Sequence, residues 1–440
     1  MNKQHVTGAH RVRWLFAVLP GAVFIVFSWL TYGVVRRISG ATGKIGLFRY
    51  GDFYEFYAGA EALFKGTNIY DAGRLGYIYP PLLAFLLAPL SLLPIAQAAW
   101  VWLEVKTVLL AACCWLGAEE IQRRLAQPRD LISIMLVYLI GMLINIDKLR
   151  TEMNMQQSNL LLLLCFILAL RWLDRRPILS GLALGFGANV KYLTLIALPY
   201  LLLRKRYRAA AATFAGTLFW ALLPAVIIGW NRNMDLLHRA FLGLVNLSVE
   251  KSSVTGAAKV MGPAAGISIT SFSVRYFGNN QETWESMAVV CAVALLYSYF
   301  SLRIYRAAKI NLFWGRGGQI ETQGIYPGVV GLEWAGLIIL ALAFGPQTNS
   351  PHLSMLLFPS ITAVAVLLMP RGQISGLPLI IGLLIMFFGL ILPPRTPKLE
   401  EALILWTSLS GPLWCVLIMY LTLIQTGLGR LKAQSRKDQP

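Results

Sequence analysis

The sequence predicts an all-α, polytopic membrane protein, and three observations carry that reading. The 440 residues are 57% hydrophobic and only 13% charged, against about 25% charged in soluble domains. Apolar runs of near 20 residues recur along the whole chain, the length that spans a bilayer as a helix. Trp and Tyr often close those runs, as residues anchored at the membrane surface do. No stretch is long and polar enough for a separate soluble domain, so residues 1–440 read as one integral membrane domain.

Full spans are expected at about 14–35, 97–117, 131–146, 158–171, 209–229, 285–302, 326–344, 353–369, 376–392 and 402–425. The first run follows basic residues, is too long for a signal h-region and has no small-residue cleavage site, so it reads as retained. PPLLAFLLAPLSLLP (80–94) reads as an extra apolar arm. Pro80–Pro81 opens a short helix and Pro94 ends it, because proline fits a first helical turn and not an interior.

One region cannot hold full spans. RWLDRR (171–176) and RKRYR (204–208) are both basic and so both belong inside. The residues between them are too few for two crossings of about 20 residues each. Two half-helices fit, near 178–189 and 192–203, with Asn189-Val190-Lys191 at the tip. Broken backbone at that depth must line a cavity or be buried in protein.

With this re-entrant pair (178–203), both termini lie inside. Then 22 Lys and Arg fall on inside segments and 15 outside, with six acids inside and twelve outside. The net charge of +19 is therefore largely a topology signal, and it gives no ground for a nucleic-acid partner. Cys113, Cys114, Cys165, Cys291 and Cys415 all sit inside apolar runs and read as small buried hydrophobes. The outside carries the long loops, 36–79 and 230–284, where function concentrates. A short basic tail (427–440) stays inside.

The first outer loop carries GDFYEFYAGAEALFKGTNIY (51–70). Phe53, Phe56, Tyr57, Ala60, Leu63 and Phe64 repeat at helical spacing, with Glu55, Glu61 and Lys65 off that stripe. This predicts an amphipathic helix lying in the outer interface, stopped by Gly66. Asp52 has two readings. It can cap this helix, with Glu55 completing a capping box. It can also face a cavity and take a proton from a hydroxyl.

The pattern D-F-Y-x-F-Y from Asp52, followed by Y-x-Y-P-P-L at 77–82, resembles glycosyltransferase family 87, whose members use polyprenyl-monophosphate sugars. MQQSNLLLLLCFILALRWLDRRPILSGLALGFGANVKYLTLIALPYLLLRKRYR (155–208) is similar to the family's Gln-x-Asn, small-residue helix, lysine and basic-loop order. SPHLSMLLFP (350–359) is similar to its Pro-His helix start, and NLSVEKSSVTG (246–256) to an Asn-Ser segment of an outer loop. Together the matches cover most of residues 45–360. The chain departs from the family in one place: Gln156 stands where a glycine commonly precedes the Gln-x-Asn pair.

The resemblance implies a C-type glycosyltransferase fold and a metal-independent, cofactor-free, inverting transfer, often of mannose. The donor is a polyprenyl-phosphate sugar and the acceptor a lipid or glycan hydroxyl. Asp52 maps to the general base, the pattern histidine to His352, and the half-helix lysine to Lys191. Gln157, Asn159 and Tyr79 map to the sugar site. Among the outer-side cations, Arg150 is placed with Lys191 and His352 on the donor phosphate, and Arg49 with the sugar or acceptor.

The chemistry agrees with that mapping. An activated donor needs one carboxylate rather than the hydrolytic pair, and the leaving phosphate needs cationic or helix-terminal stabilisation. His352, just after Pro351, opens an apolar helix, and a helix start welcomes an anion; the plain alternative is an idle interfacial histidine. Lys191 is ionisable in apolar surroundings, a functional mark; its alternative is to snorkel to the surface. Lys148, like Arg49 and Arg150, can equally be a headgroup contact. Glu104 and Lys106 read as a structural pair, and Glu333 has no assigned role.

No D-x-D, P-loop, H-E-x-x-H or G-x-S-x-G occurs, which disfavours a nucleotide-sugar enzyme with a cytoplasmic catalytic domain. The rival class is a transporter or flippase of a polyprenyl-linked sugar, which a broken helix and a midplane lysine also suit. The expected location is the bacterial plasma membrane, with the site facing outward.

Overall fold

The computed structural model describes residues 4–40, 49–74, 76–248, 266–280, 283–310, 326–346, 348–370 and 374–437, with no strand among them. Among the described residues, seven helices are long and apolar enough to cross a membrane, or eight if one bent pair is a single span. The chain is thus a multi-pass helical membrane protein. The Asn-Ser segment at 246–256 lies outside the residues whose side chains are described.

The expected set of ten spans is reduced for identifiable reasons. The runs at 158–171 and 376–392 form α7 (Asn159–Trp172) and α17 (Leu377–Ile391), of 14 and 15 residues; both are shorter than about 20 residues, a full crossing. The run at 131–146 is α5 (Leu131–Ile144), which bends by 76° into α6 (Ile146–Met155). The run at 402–425 is broken at Ser410, whose φ is +55°. It divides into α18 (Glu400–Ser408) and the long α19 (Gly411–Lys437).

α1 (Gln4–Ile38) leads to α2 (Phe53–Lys65), which ends on left-handed Gly66. α2 departs from its expected apolar stripe at two positions. Glu55 is buried and Phe64 exposed. The reason is Arg74, whose backbone N–H and Nε both donate to the Glu55 carboxylate, at 2.9 and 3.1 Å. The loop after α2 thereby folds back over it. α3 (Pro81–Leu87) starts on Pro81 and continues as a 3₁₀ turn to Leu92. Tyr77 ties this start together, donating to Pro80 O and accepting from the Ala84 N–H.

α4 (Ile95–Arg124) runs through the core. After α7, α8 (Pro177–Val190) stops at Lys191, which is extended. A 3₁₀ turn, Tyr192–Ile196, and α9 (Ala197–Leu203) follow. α10 (Tyr207–Leu222) lies against α8 at backbone contact. A Cβ on Gly181 would sit 2.5 Å from the Thr213 nitrogen, and one on Gly185 2.5 Å from the Thr217 nitrogen. Small residues four apart permit this approach.

α11 (Ala225–Ile228) and α12 (Trp230–Ser248) occupy part of what reads as the second outer loop. α12 holds the loop that follows α2, since Leu236 O accepts from Tyr70 Oη at 2.9 Å. α13 (Ile269–Phe277) and α14 (Trp284–Ala308) follow. α15 (Tyr326–Phe344) is buried along most of its length around Trp334. A 3₁₀ segment, Ser350–Leu356, feeds α16 (Leu357–Leu368), also buried.

Glu333 on α15 gains a structural account. It accepts from Tyr200 and Tyr305 at 2.9 and 2.8 Å and pairs with Arg204. The pairing expected between Glu104 and Lys106 is not formed. Glu104 is exposed on α4, while Lys106 is fully buried and pairs with Glu152 at 3.2 Å. Those two side chains leave the helix on different faces, as near neighbours two apart do.

Candidate active site

The site forms where the start of α2 meets the α6–α7 junction. Gly51 has φ +59°, and a Cβ there would lie 2.7 Å from Met155 O. The Asp52 N–H donates to that same oxygen at 2.9 Å. Arg74 Nη2 holds Gly51 O at 3.1 Å. The backbone at Asp52 is therefore fixed from both sides.

The capping reading of Asp52 fails. Its side chain makes no cap hydrogen bond, and its backbone is already helical (φ −78°, ψ −9°). The carboxylate instead accepts from Gln157 Nε2 at Oδ2. Glu55, the expected box partner, is committed to Arg74.

Gln157 links Asp52 to the cation. Its Oε1 accepts from Lys191 Nζ at 2.9 Å, so the amide orientation is set at both ends: the reverse would put an NH₂ group against an ammonium. Lys191 Nζ also donates to Asn159 Oδ1 at 2.8 Å. Asn159 Nδ2 donates to Glu152 Oε2 at 2.8 Å, and Glu152 receives Lys106. The result is a buried chain in which Asp52, Lys191, Glu152 and Lys106 alternate in charge. Tyr79 stands over Lys191, with Nζ 5.2 Å from its ring centre. Trp102 Nε1 braces the junction by donating to Gln156 O at 3.1 Å.

His352 arrives from the 3₁₀ segment before α16. Its Nδ1 accepts the Asn349 N–H at 3.0 Å. In the neutral ring the proton then sits on Nε2. That Nε2 lies 3.4 Å from Lys191 Nζ. Beside its bonds to Gln157 and Asn159, Lys191 Nζ thus shares one point of the cavity wall with His352 Nε2, with no acceptor placed between the two among the described residues.

Asp52, Tyr79, Gln157, Lys191 and His352 line one cavity of about 580 Å³, with Leu340 and Phe344 on its apolar side. Asn159 supports it from behind Lys191. Arg49 and Arg150 are not brought to it. Arg49 stacks on Tyr50, its guanidinium 4.7 Å from the ring centre, and Arg150 lies 4.7 Å over Trp29. Burial pushes the Asp52 carboxyl above its ordinary range, with Gln157, Lys191 and Arg74 opposing. Burial also raises the Tyr79 phenol, which stays protonated.

Glu152 and Lys106 were not legible as site residues. Glu152 reads as one acid among the loop polars of IDKLRTEMNM, and only the bend after α5 turns that stretch into a helix facing inward. Gln156 explains its own departure from the family pattern: its φ is +54°, a conformation that favours glycine.

No solved structure matches the chain. A curated relative from Mycolicibacterium smegmatis is named a polyprenol-phosphate-mannose-dependent alpha-(1-2)-phosphatidylinositol pentamannoside mannosyltransferase. It is 26% identical over 279 residues, covering 57% of this chain and 65% of that protein, so the match spans just under two thirds of the relative's length. The profile of glycosyltransferase family 87 matches residues 77–317, a stretch that holds Tyr79, Gln157, Asn159 and Lys191 and lies between Asp52 and His352. Over half the chain falls within that match, and the protein belongs to glycosyltransferase family 87.

Proposed function

We propose that the chain transfers a hexose, mannose by its relative's example, from a polyprenyl-monophosphate donor to a hydroxyl of a lipid or glycan acceptor. The observation that carries this is the pair of donors, Lys191 Nζ and His352 Nε2, 3.4 Å apart on the wall that also holds Asp52. The donor phosphate accepts from both. Its lipid leaves along the apolar side of the cavity.

Asp52 takes Gln157 on Oδ2, which leaves Oδ1 for the acceptor hydroxyl. The acceptor oxygen attacks the anomeric carbon as its proton passes to Asp52. The bond from that carbon to the phosphate oxygen breaks, and the electron pair stays on the phosphate. One displacement inverts the configuration. Lys191 and His352 meet the growing phosphate charge, stabilisation that counts most in a dry site. Asp52 lies on the outer side in the positive-inside arrangement, so the reaction faces the periplasm or cell exterior of a bacterial plasma membrane, with both termini in the cytoplasm.

The test is donor turnover. Purified protein is offered a panel of polyprenyl-phosphate hexoses with membrane lipid extract as acceptor, and released polyprenyl phosphate is measured. Release from the mannose donor is expected. Tight binding of every donor with release from none would replace the transferase by a flippase.

A further inference from the structure

Glu152 and Lys106 are the two charged residues of the buried chain that the transfer itself does not use. Both are wholly buried. A buried ion pair gains little stability over apolar side chains of similar size, because both charges must first leave water. Stability alone therefore does not account for a pair placed beside Lys191.

The contacts of Glu152 govern direction. Its Oε2 accepts from Asn159 Nδ2 at 2.8 Å, which turns Asn159 Oδ1 toward Lys191 Nζ, also at 2.8 Å. Gln157 Oε1 takes a second ammonium hydrogen at 2.9 Å, so two of the three are committed. The third is left for the cavity wall, where His352 Nε2 stands 3.4 Å from Nζ. Glu152 thus aims the lysine through Asn159.

The contacts of Lys106 govern charge. Its Nζ lies 3.2 Å from Glu152 Oε1 and donates to Glu152 O at 2.6 Å. Lys191 stands in the fields of Glu152, Asp52 and Lys106 together. Two carboxylates around Lys191 alone would leave this buried region net negative, and it would repel a phosphate. Lys106 offsets Glu152, so the four charges sum to zero and an anion can enter. In a dry site such terms are far stronger than in water.

We propose that Glu152 and Lys106 are a positioning pair for the donor phosphate. Glu152 sets, through Asn159, the direction in which Lys191 presents its remaining hydrogen. Lys106 offsets the Glu152 charge so that the phosphate is admitted beside Lys191. Both act through Lys191 rather than on the substrate. This inference rests on the assignment of the donor phosphate to Lys191 and His352 given above, but its test needs no turnover.

Full-length protein in neutral detergent is titrated with polyprenyl phosphate and with the polyprenol of the same chain length, using native mass spectrometry. The preference for the phosphate is the readout. Two double variants remove both charges and so leave neither ion buried alone: Glu152→Gln/Lys106→Met and Glu152→Met/Lys106→Met. In the first, the introduced amide oxygen still accepts from Asn159 Nδ2; in the second, nothing does. The first is expected to keep most of the phosphate preference. The second is expected to lose about tenfold, the scale of one charge-assisted contact. Lys106→Met alone keeps the Glu152 charge and is expected to lose about as much, while polyprenol binds all three variants as it binds the parent. Equal phosphate preference in the two double variants would overturn the proposal, and so would an undiminished preference in Lys106→Met; the double variants decide even where Lys106→Met does not fold. A parent protein with no preference for the phosphate would instead overturn the donor assignment itself, before any variant is compared.

Discussion

Asp52, Lys191 and His352, singled out in the sequence through the family resemblance, line one cavity in the structure. What the sequence could not show is how they are joined. Gln157 connects Asp52 to Lys191, and Glu152 closes the charge balance from a helix that reads as loop. Asp52 carries a pH prediction. Its folded pKa is raised, chiefly by burial, so the carboxyl is protonated at a pH where an ordinary aspartate stays ionised. The acid limb of kcat/KM is therefore expected above the usual aspartate range, measured by donor turnover against pH. The sign for stability is opposite to that of a paired carboxylate. The burial penalty is absent below the unfolded pKa and fully present above the folded one. Asp52→Asn should thus raise the melting temperature at neutral pH, with the gain vanishing in acid. Gln156 gives a second residue-scale test. It is buried in a left-handed conformation, with both side-chain polar atoms unpartnered among the described residues. Gln156→Gly removes both costs and should stabilise by about 1 kcal/mol or more, read as a higher melting temperature.

Among the elements, the long apolar helices were legible from composition alone, since each needs only length and hydropathy. The bend between α5 and α6 was not, because Asn145 reads as the end of a span rather than a hinge between two helices. α2 was legible as a helix, but Glu55 stood off its apolar stripe in the sequence pattern and is buried in the structure, because Arg74, further along the chain, draws it inward. The α8–α10 pair depends on glycine. Gly185→Leu meets backbone within 2.5 Å of its Cβ, so the helices must separate. A loss of about 1–3 kcal/mol is expected, together with weaker donor binding, since α8 ends at Lys191. Normal stability and donor binding in that variant would show that the contact does not position the lysine. The Glu152 chain links α4, α6 and α7. Glu152→Gln leaves Lys106 and Lys191 buried without their shared carboxylate, which costs about 3–5 kcal/mol for a broken buried pair. Adding Lys106→Met should restore much of that loss, measured by thermal unfolding in detergent.

Across the whole molecule, two cavities meet at the 349–353 turn, one facing Lys191 and His352 and the other Lys148 and Arg395. Net charge of +19 does not reveal this division, because it sums over the whole sequence. Asp52 lines the first of these cavities. The measurement that tests this most directly compares the parent protein with Asp52→Asn for polyprenyl-phosphate-mannose binding and for release of polyprenyl phosphate in the presence of lipid acceptor. The account predicts equal binding and a loss of release of about 10²-fold or more, the contribution of a positioned base. Full release by Asp52→Asn would contradict it and leave the carboxylate a structural neighbour of Gln157.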